Sequence, residues 1–146
     1  MSLSSSGDKD FENLRYDNKF LEAFTYAWGM VESDIDQKII YEFGLDIQNS
    51  NFNSNTTNTK IDYVLRQFSR EIEFLHSIKK LNNAQFKALH DFSEKRNKLF
   101  HGTQGRNYNK LILNLTEIEK KEYLDVASLA LRATTYGINN DDLPSL

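Results

Sequence analysis

Residues 17–44, DNKFLEAFTYAWGMVESDIDQKIIYEFG, decide the fold class. Phe20, Leu21, Phe24, Trp28, Val31, Ile35 and Ile39 recur at steps of three and four. That spacing gathers apolar side chains on one face of an α-helix. Asp17 can cap the first turn through its carboxylate, and Gly44 is a natural stop. The stretch predicts a helix of about 27 residues, a rod of roughly 40 Å. An apolar stripe of that length needs other helices to cover it. Gly29 interrupts the pattern at a cost of about 1 kcal/mol relative to alanine, and a close helix crossing would explain it.

Working outward, the same period predicts three more helices. One spans about 61–81, with Ile61, Leu65, Phe68, Ile72, Leu75 and Ile78 on its stripe. The next opens near Asn83 and runs through Phe86, Leu89, Phe92 and Arg96 to Phe100. The last begins at the capping box Thr116-Glu117-Ile118-Glu119. It continues through Tyr123, Leu124, Ala127, Leu131 and Thr134 to a stop at Gly137. Residues 47–60, IQNSNFNSNTTNTK, cannot bury a core and read as a polar loop. Lys110–Leu115 is ambiguous between strand, turn and helix. Residues 1–10 are Ser-rich and acidic and read as a leader or disordered segment, and 138–146 read as a tail. The expectation is an all-α, antiparallel bundle of four to five helices, a single domain over residues 11–137.

Bulk properties narrow the function. A chain of 146 residues suits one core. It has no cysteine, which removes disulfides and thiolate metal sites. No apolar run approaches the roughly 18 residues that span a membrane, and residues 1–10 lack a secretory apolar region. The expected location is therefore the cytoplasm, with no membrane partner. The net charge of −3 argues against general attraction to nucleic acid. Its distribution is uneven, however. Lys79 to Lys110 holds eight basic and two acidic residues, a local charge of +6, against −9 for the rest. Such asymmetry points to an anionic partner, although lysines on solvated helix faces can also cluster by chance.

Within that basic window lies Arg96-Asn97-Lys98-Leu99-Phe100-His101-Gly102. Arginine grips phosphate oxygens in pairs, and histidine exchanges protons near neutral pH. On a straight helix, positions five apart differ by about 140°, and positions four apart by about 40°. Asn97 therefore stacks more nearly beneath His101 than Arg96 does. Arg96 and His101 converge if the helix ends at His101 and Gly102 releases the backbone. A histidine at that end also feels the negative pole of the helix, which favours its charged form. The alternative is structural, with His101 capping the last carbonyls and Arg96 paired to an acid on a neighbouring helix.

The stretch resembles the signature of the HEPN superfamily (higher eukaryotes and prokaryotes nucleotide-binding). That signature is an arginine, four to six residues and a histidine, often with a polar residue directly after the arginine. The long, aromatic first helix followed by acids is also similar to that family. The architectural likeness covers about 11–137, and the specific motif about seven residues. The resemblance implies a metal-independent endoribonuclease, with two protomers pairing so that both motifs line one cleft. Ribose 2′-hydroxyl would attack the adjacent phosphate. Arg96 would stabilise the phosphorane, His101 would act as acid and base, and Asn97 would position them. The first helix of such sites often supplies an acid, for which Glu32, Asp34 and Asp36 are candidates. Glu94 could instead hold the Arg96 guanidinium. Lys95, Lys98 and Arg106 are candidate RNA-binding cations. Tyr108 could stack on a base, and Phe100 could do the same or belong to the core. Toxin and defence roles, and an antitoxin partner, come with the resemblance alone. The alternative function is a non-catalytic module that binds a nucleotide, RNA or protein. No cofactor is implied.

Other patterns are weaker. Glu73-Phe74-Leu75-His76 has the Glu-x-x-His spacing of di-metal bundles, but a second copy is missing, so no metal site is expected. His90 reads as a surface residue within the basic window.

Overall fold

The computed structural model describes residues 6–49, 67–101, 114–135 and 137–143. They form α1 (Ser6–Tyr16), α2 (Phe20–Asn49), α3 (Phe68–Ser77), α4 (Asn83–His101) and α5 (Glu117–Thr135), followed by a 3₁₀ turn at Asn140–Asp142. No strand occurs among the described residues, and none of their helices is long and apolar enough to cross a membrane. The fold is an all-α helical bundle.

α2 is the central element. Its buried stripe is Phe20, Ala23, Phe24, Ala27, Val31, Ile35 and Ile39. Phe24 meets Phe92 edge-on at 5.2 Å and Tyr123 at 6.0 Å, which joins α2 to α4 and α5. Trp28 packs on Phe68 at 4.8 Å, and Phe43 stacks on Phe74 at 5.3 Å. Those two pairs show that α2 and α3 run in the same sense. α4 runs against both α2 and α5. Phe100 lies by Phe24 and Phe92 by Trp28, while Gln85 Nε2 donates to the Ala133 carbonyl and Lys95 covers the Tyr123 ring.

Several local expectations change. α1 precedes the expected first helix and buries Phe11, and it takes in Ser6–Asp10, which the sequence reading set aside. Asp17 is not the N-cap of α2. The turn after α1 is closed by Asn18 and Lys19 amides donating back to Arg15 and Leu14, with Asn18 left-handed at φ 59°. This Schellman closure uses asparagine where glycine is commoner. Lys79, at φ 64°, closes α3 in the same way, so α3 ends at Ser77 rather than near Leu81. Gly44 does not stop α2, which continues to Asn49 and spans 30 residues. Glycine lacks only a Cβ, and its cost of about 1 kcal/mol is too small to break a helix held by packing. Gly29 does not mark a helix crossing either, because a Cβ there would meet nothing within 4 Å.

The expected capping box of α5 and the stop at Gly137 hold. Thr116 and Glu119 form the reciprocal capping box, with bonds of 3.0 and 3.1 Å. Asn82 and Gln85 form a second one, both bonds 2.8 Å, at the start of α4. The Asn82 side-chain amide also donates to the Ile138 carbonyl. Ile138 is buried, so the expected tail begins inside the core. Gly137 ends α5 at φ 77°. Most of the polar 47–60 tract, the start of the expected second helix and residues 110–113 lie outside the described residues.

Candidate functional site

A cleft of about 440 Å³ opens where the start of α3 and the later turns of α4 meet the middle of α2. Trp28 and Glu32 line it from α2, Gln67, Phe68 and Ser69 from α3, and Ser93, Arg96 and Asn97 from α4. Local sequence explains the arrangement. Trp28 and Glu32 are one turn apart on α2, and so are Ser93 and Asn97 on α4, which places each pair on a common face. Leu99 and Phe92 are fully buried, and they fix the rotation of α4 that turns Arg96 toward α2.

Arg96 lies over aromatic rings. Its guanidinium carbon stands 5.0 Å from the Trp28 ring centre and 5.7 Å from that of Phe100. Such cation–π contacts hold a guanidinium flat and leave its edge free for hydrogen bonding. Arg96 Nη1 donates weakly to Asn97 Oδ1 at 3.5 Å. Its Nε is buried and has no hydrogen-bond partner among the described residues. The expected partner Glu94 is engaged elsewhere, with Oε1 3.4 Å from His90 Nδ1. Trp28 takes the supporting role that Glu94 was expected to fill.

The other expected site residues divide between faces. Glu32 shares the cleft with Arg96 and Asn97. Asp34 instead lines a larger cavity of about 730 Å³ with Met30, Tyr41 and Thr134. Lys95 and Lys98 border a separate groove with Asp91, Glu94 and Val126. Phe100 is partly buried against the core. His101 is the last residue of α4, but its side chain lies outside the described residues. Gly102, Arg106 and Tyr108 also lie outside them. The basic window is partly neutralised, because Lys80 pairs with Glu42 at 3.6 Å and Lys87 with Asp91 at 3.1 Å. His76 Nε2 is 2.7 Å from Asn83 Oδ1, and its ring stacks on Phe86.

Asp36, the third first-helix candidate, faces a residue that the sequence reading overlooked. Glu71 of α3 is 1% exposed. Burial, then a hydrogen bond to Asp36, then the charges of Asp36 and Glu32 push its carboxyl up to about 9. Glu71 Oε2 and Asp36 Oδ1 are both buried without a hydrogen-bond partner among the described residues. The sequence did contain a signal. Glu71 falls three residues after Phe68 and four before Leu75, on the apolar stripe of α3. No group of three His, Cys, Asp or Glu residues among the described ones is disposed to hold a metal ion.

No protein-family profile, curated protein sequence or solved structure matches this chain.

Proposed function

We propose that the chain is a HEPN-type, metal-independent endoribonuclease. The observation that carries this reading is one cleft shared by Arg96, Asn97 and Glu32, with Arg96 and Asn97 little more than a turn before α4 ends at His101. In the proposed reaction, the 2′-hydroxyl oxygen attacks the neighbouring phosphorus and gives up its proton to a base. The P–O5′ bond breaks, and the leaving oxygen takes a proton. The products are a 2′,3′-cyclic phosphate and a free 5′-hydroxyl. His101 handles the protons. Arg96, held over the Trp28 ring, offers its outer N–H groups to the charge that builds on phosphorus. Asn97 orients the phosphate, and Glu32 is the accessory acid in place of Asp34 or Glu94. Two copies pair so that their clefts join, and the setting is a cytoplasmic toxin or defence system restrained by an antitoxin.

A second reading has its own support. The Arg96 Nε is buried against the bundle, as expected of an arginine that serves packing or binding. On that reading the cleft binds RNA or a nucleotide without cleaving it.

A quenched fluorescent RNA incubated with the full chain in EDTA separates the two. The ribonuclease reading expects cleavage that falls by roughly 100-fold or more in His101→Ala and in Arg96→Ala. Equal rates in wild type and His101→Ala would sink it. Salt-sensitive RNA binding without cleavage, weakened by Arg96→Ala, would establish the binding module.

A further inference from the structure

We propose that Glu71 is a positioning residue for the Arg96 cleft: by hydrogen-bonding its carboxyl to Asp36, it locks the first turn of α3 in place as the wall facing Arg96. This rests on the cleft being the working site of the proposed ribonuclease.

The wall itself is small. Gln67, Phe68 and Ser69 precede Glu71 by one turn or less, and they supply the whole α3 side of the cleft. α3 has only ten residues. Its buried side chains are Phe68, Glu71, Ile72 and Leu75, so Glu71 is the one polar group among its anchors. An apolar side chain could fill that space, but it would slide. A hydrogen bond between two carboxyl groups is directional and fixes the register of α3 along α2. On the α2 side Asp36 is one turn beyond Glu32, which lines the cleft. A single contact thus holds both the wall and the helix segment carrying the accessory acid.

A buried carboxyl group in contact with a second carboxyl is costly to ionise, so Glu71 keeps its proton. The influences that raise Glu71 come from burial and from the carboxylates Asp36 and Glu32 of α2. On α3, Arg70 and Glu73 flank it in sequence, and on α4 Arg96 is engaged by the Trp28 and Phe100 rings. Ionisation of Glu71 would turn the contact repulsive and loosen the wall.

Trp28 is the only tryptophan in the chain, and it touches both Phe68 and Arg96. Acrylamide quenching of its fluorescence therefore reads the cleft directly, without RNA. In the full-length wild type, quenching should stay constant near neutral pH and rise with a midpoint near 9. Glu71→Gln keeps a neutral hydrogen-bonding group, so it should match wild type at neutral pH and lose the transition. Glu71→Ala should be more strongly quenched at every pH. Asp36→Asn removes a charge that raises Glu71, so its midpoint should move to lower pH. Tyrosine ionisation is common to all four proteins and cancels in the differences.

Cleavage of the fluorescent RNA forms the second readout. Glu71→Ala should lose at least about 10-fold in rate, with Glu71→Gln restoring most of it. Identical quenching in folded wild type, Glu71→Gln and Glu71→Ala would overturn the proposal. If Glu71→Ala does not fold, an unchanged midpoint in Asp36→Asn would overturn it. If the quenching pattern appears but wild type does not cleave RNA, the ribonuclease reading fails while Glu71 remains the residue that shapes the cleft.

Discussion

Replacing Glu71 by glutamine should change how stability depends on pH, in a direction opposite to most carboxylates. In the unfolded chain the group titrates at about 4.5, and in the folded chain at about 9. Between those values the folded state holds one more proton than the unfolded state. Stability therefore falls as pH rises across this window, by about 1.4 kcal/mol per pH unit. The contribution is complete below the unfolded value and lost once pH passes the folded one. Glu71→Gln cannot bind that proton, so its curve lacks this slope. The stability of wild type relative to Glu71→Gln should drop by about 3 kcal/mol over two pH units inside the window. That is a sizeable share of a typical domain stability of about 5–15 kcal/mol. Urea unfolding followed by circular dichroism, at several pH values from mildly acidic to mildly alkaline, measures the difference. All other ionisable groups are shared and largely cancel. Parallel stability curves for the two proteins would refute the claim that Glu71 is a protonated, buried acid in the fold. A difference that grows with pH would mean Glu71 is an ionised, favourably paired carboxylate.

Two further substitutions test the packing that supports the cleft. Phe92 is fully buried and meets Phe24 and Trp28 edge-on; Phe92→Ala should cost about 3–5 kcal/mol in urea unfolding and increase Trp28 quenching. Gly29 is helical and exposed, with open space where a Cβ would sit; Gly29→Ala should raise stability by about 0.5–1 kcal/mol, seen as a higher melting temperature, and a loss would imply a partner surface on that face.

Much of the bundle was legible because its causes are local. The stripe from Phe20 to Ile39 has helical period, and Thr116 with Glu119 makes a capping box from side chains three residues apart. The pair Asn82 and Gln85 works on the same principle with amides in place of hydroxyl and carboxylate. The stops were less legible. Asn18 and Lys79 take left-handed backbones without being glycine, while Gly44 lies within a helix that continues to Asn49. Of the candidate site, the stretch Arg96–Asn97–His101 stood out by composition and spacing. Sequence offered Glu32, Asp34 and Asp36 as accessory acids and Glu94 as a holder of the Arg96 guanidinium without choosing among them, because neither helical rotation nor interhelical register can be read from spacing alone. The fold separates them, with Glu94 at His90 and Glu32 in the cleft.

The amino-acid order alone thus determined four of the helical segments, though not α1 or the helix ends, which of their faces are apolar, and where an arginine and a histidine fall near one helix end. Those properties depend on neighbours within about one turn, the range over which backbone hydrogen bonds and side-chain pairs act. Only the tertiary structure decided that α2 and α3 run in the same sense, that Trp28 lies beneath Arg96 and that buried Glu71 meets Asp36. These contacts join residues 31 to 68 positions apart in the chain. They form because the bundle must cover the apolar face of α2 from several sides at once, and no local rule encodes which polar groups that packing brings together.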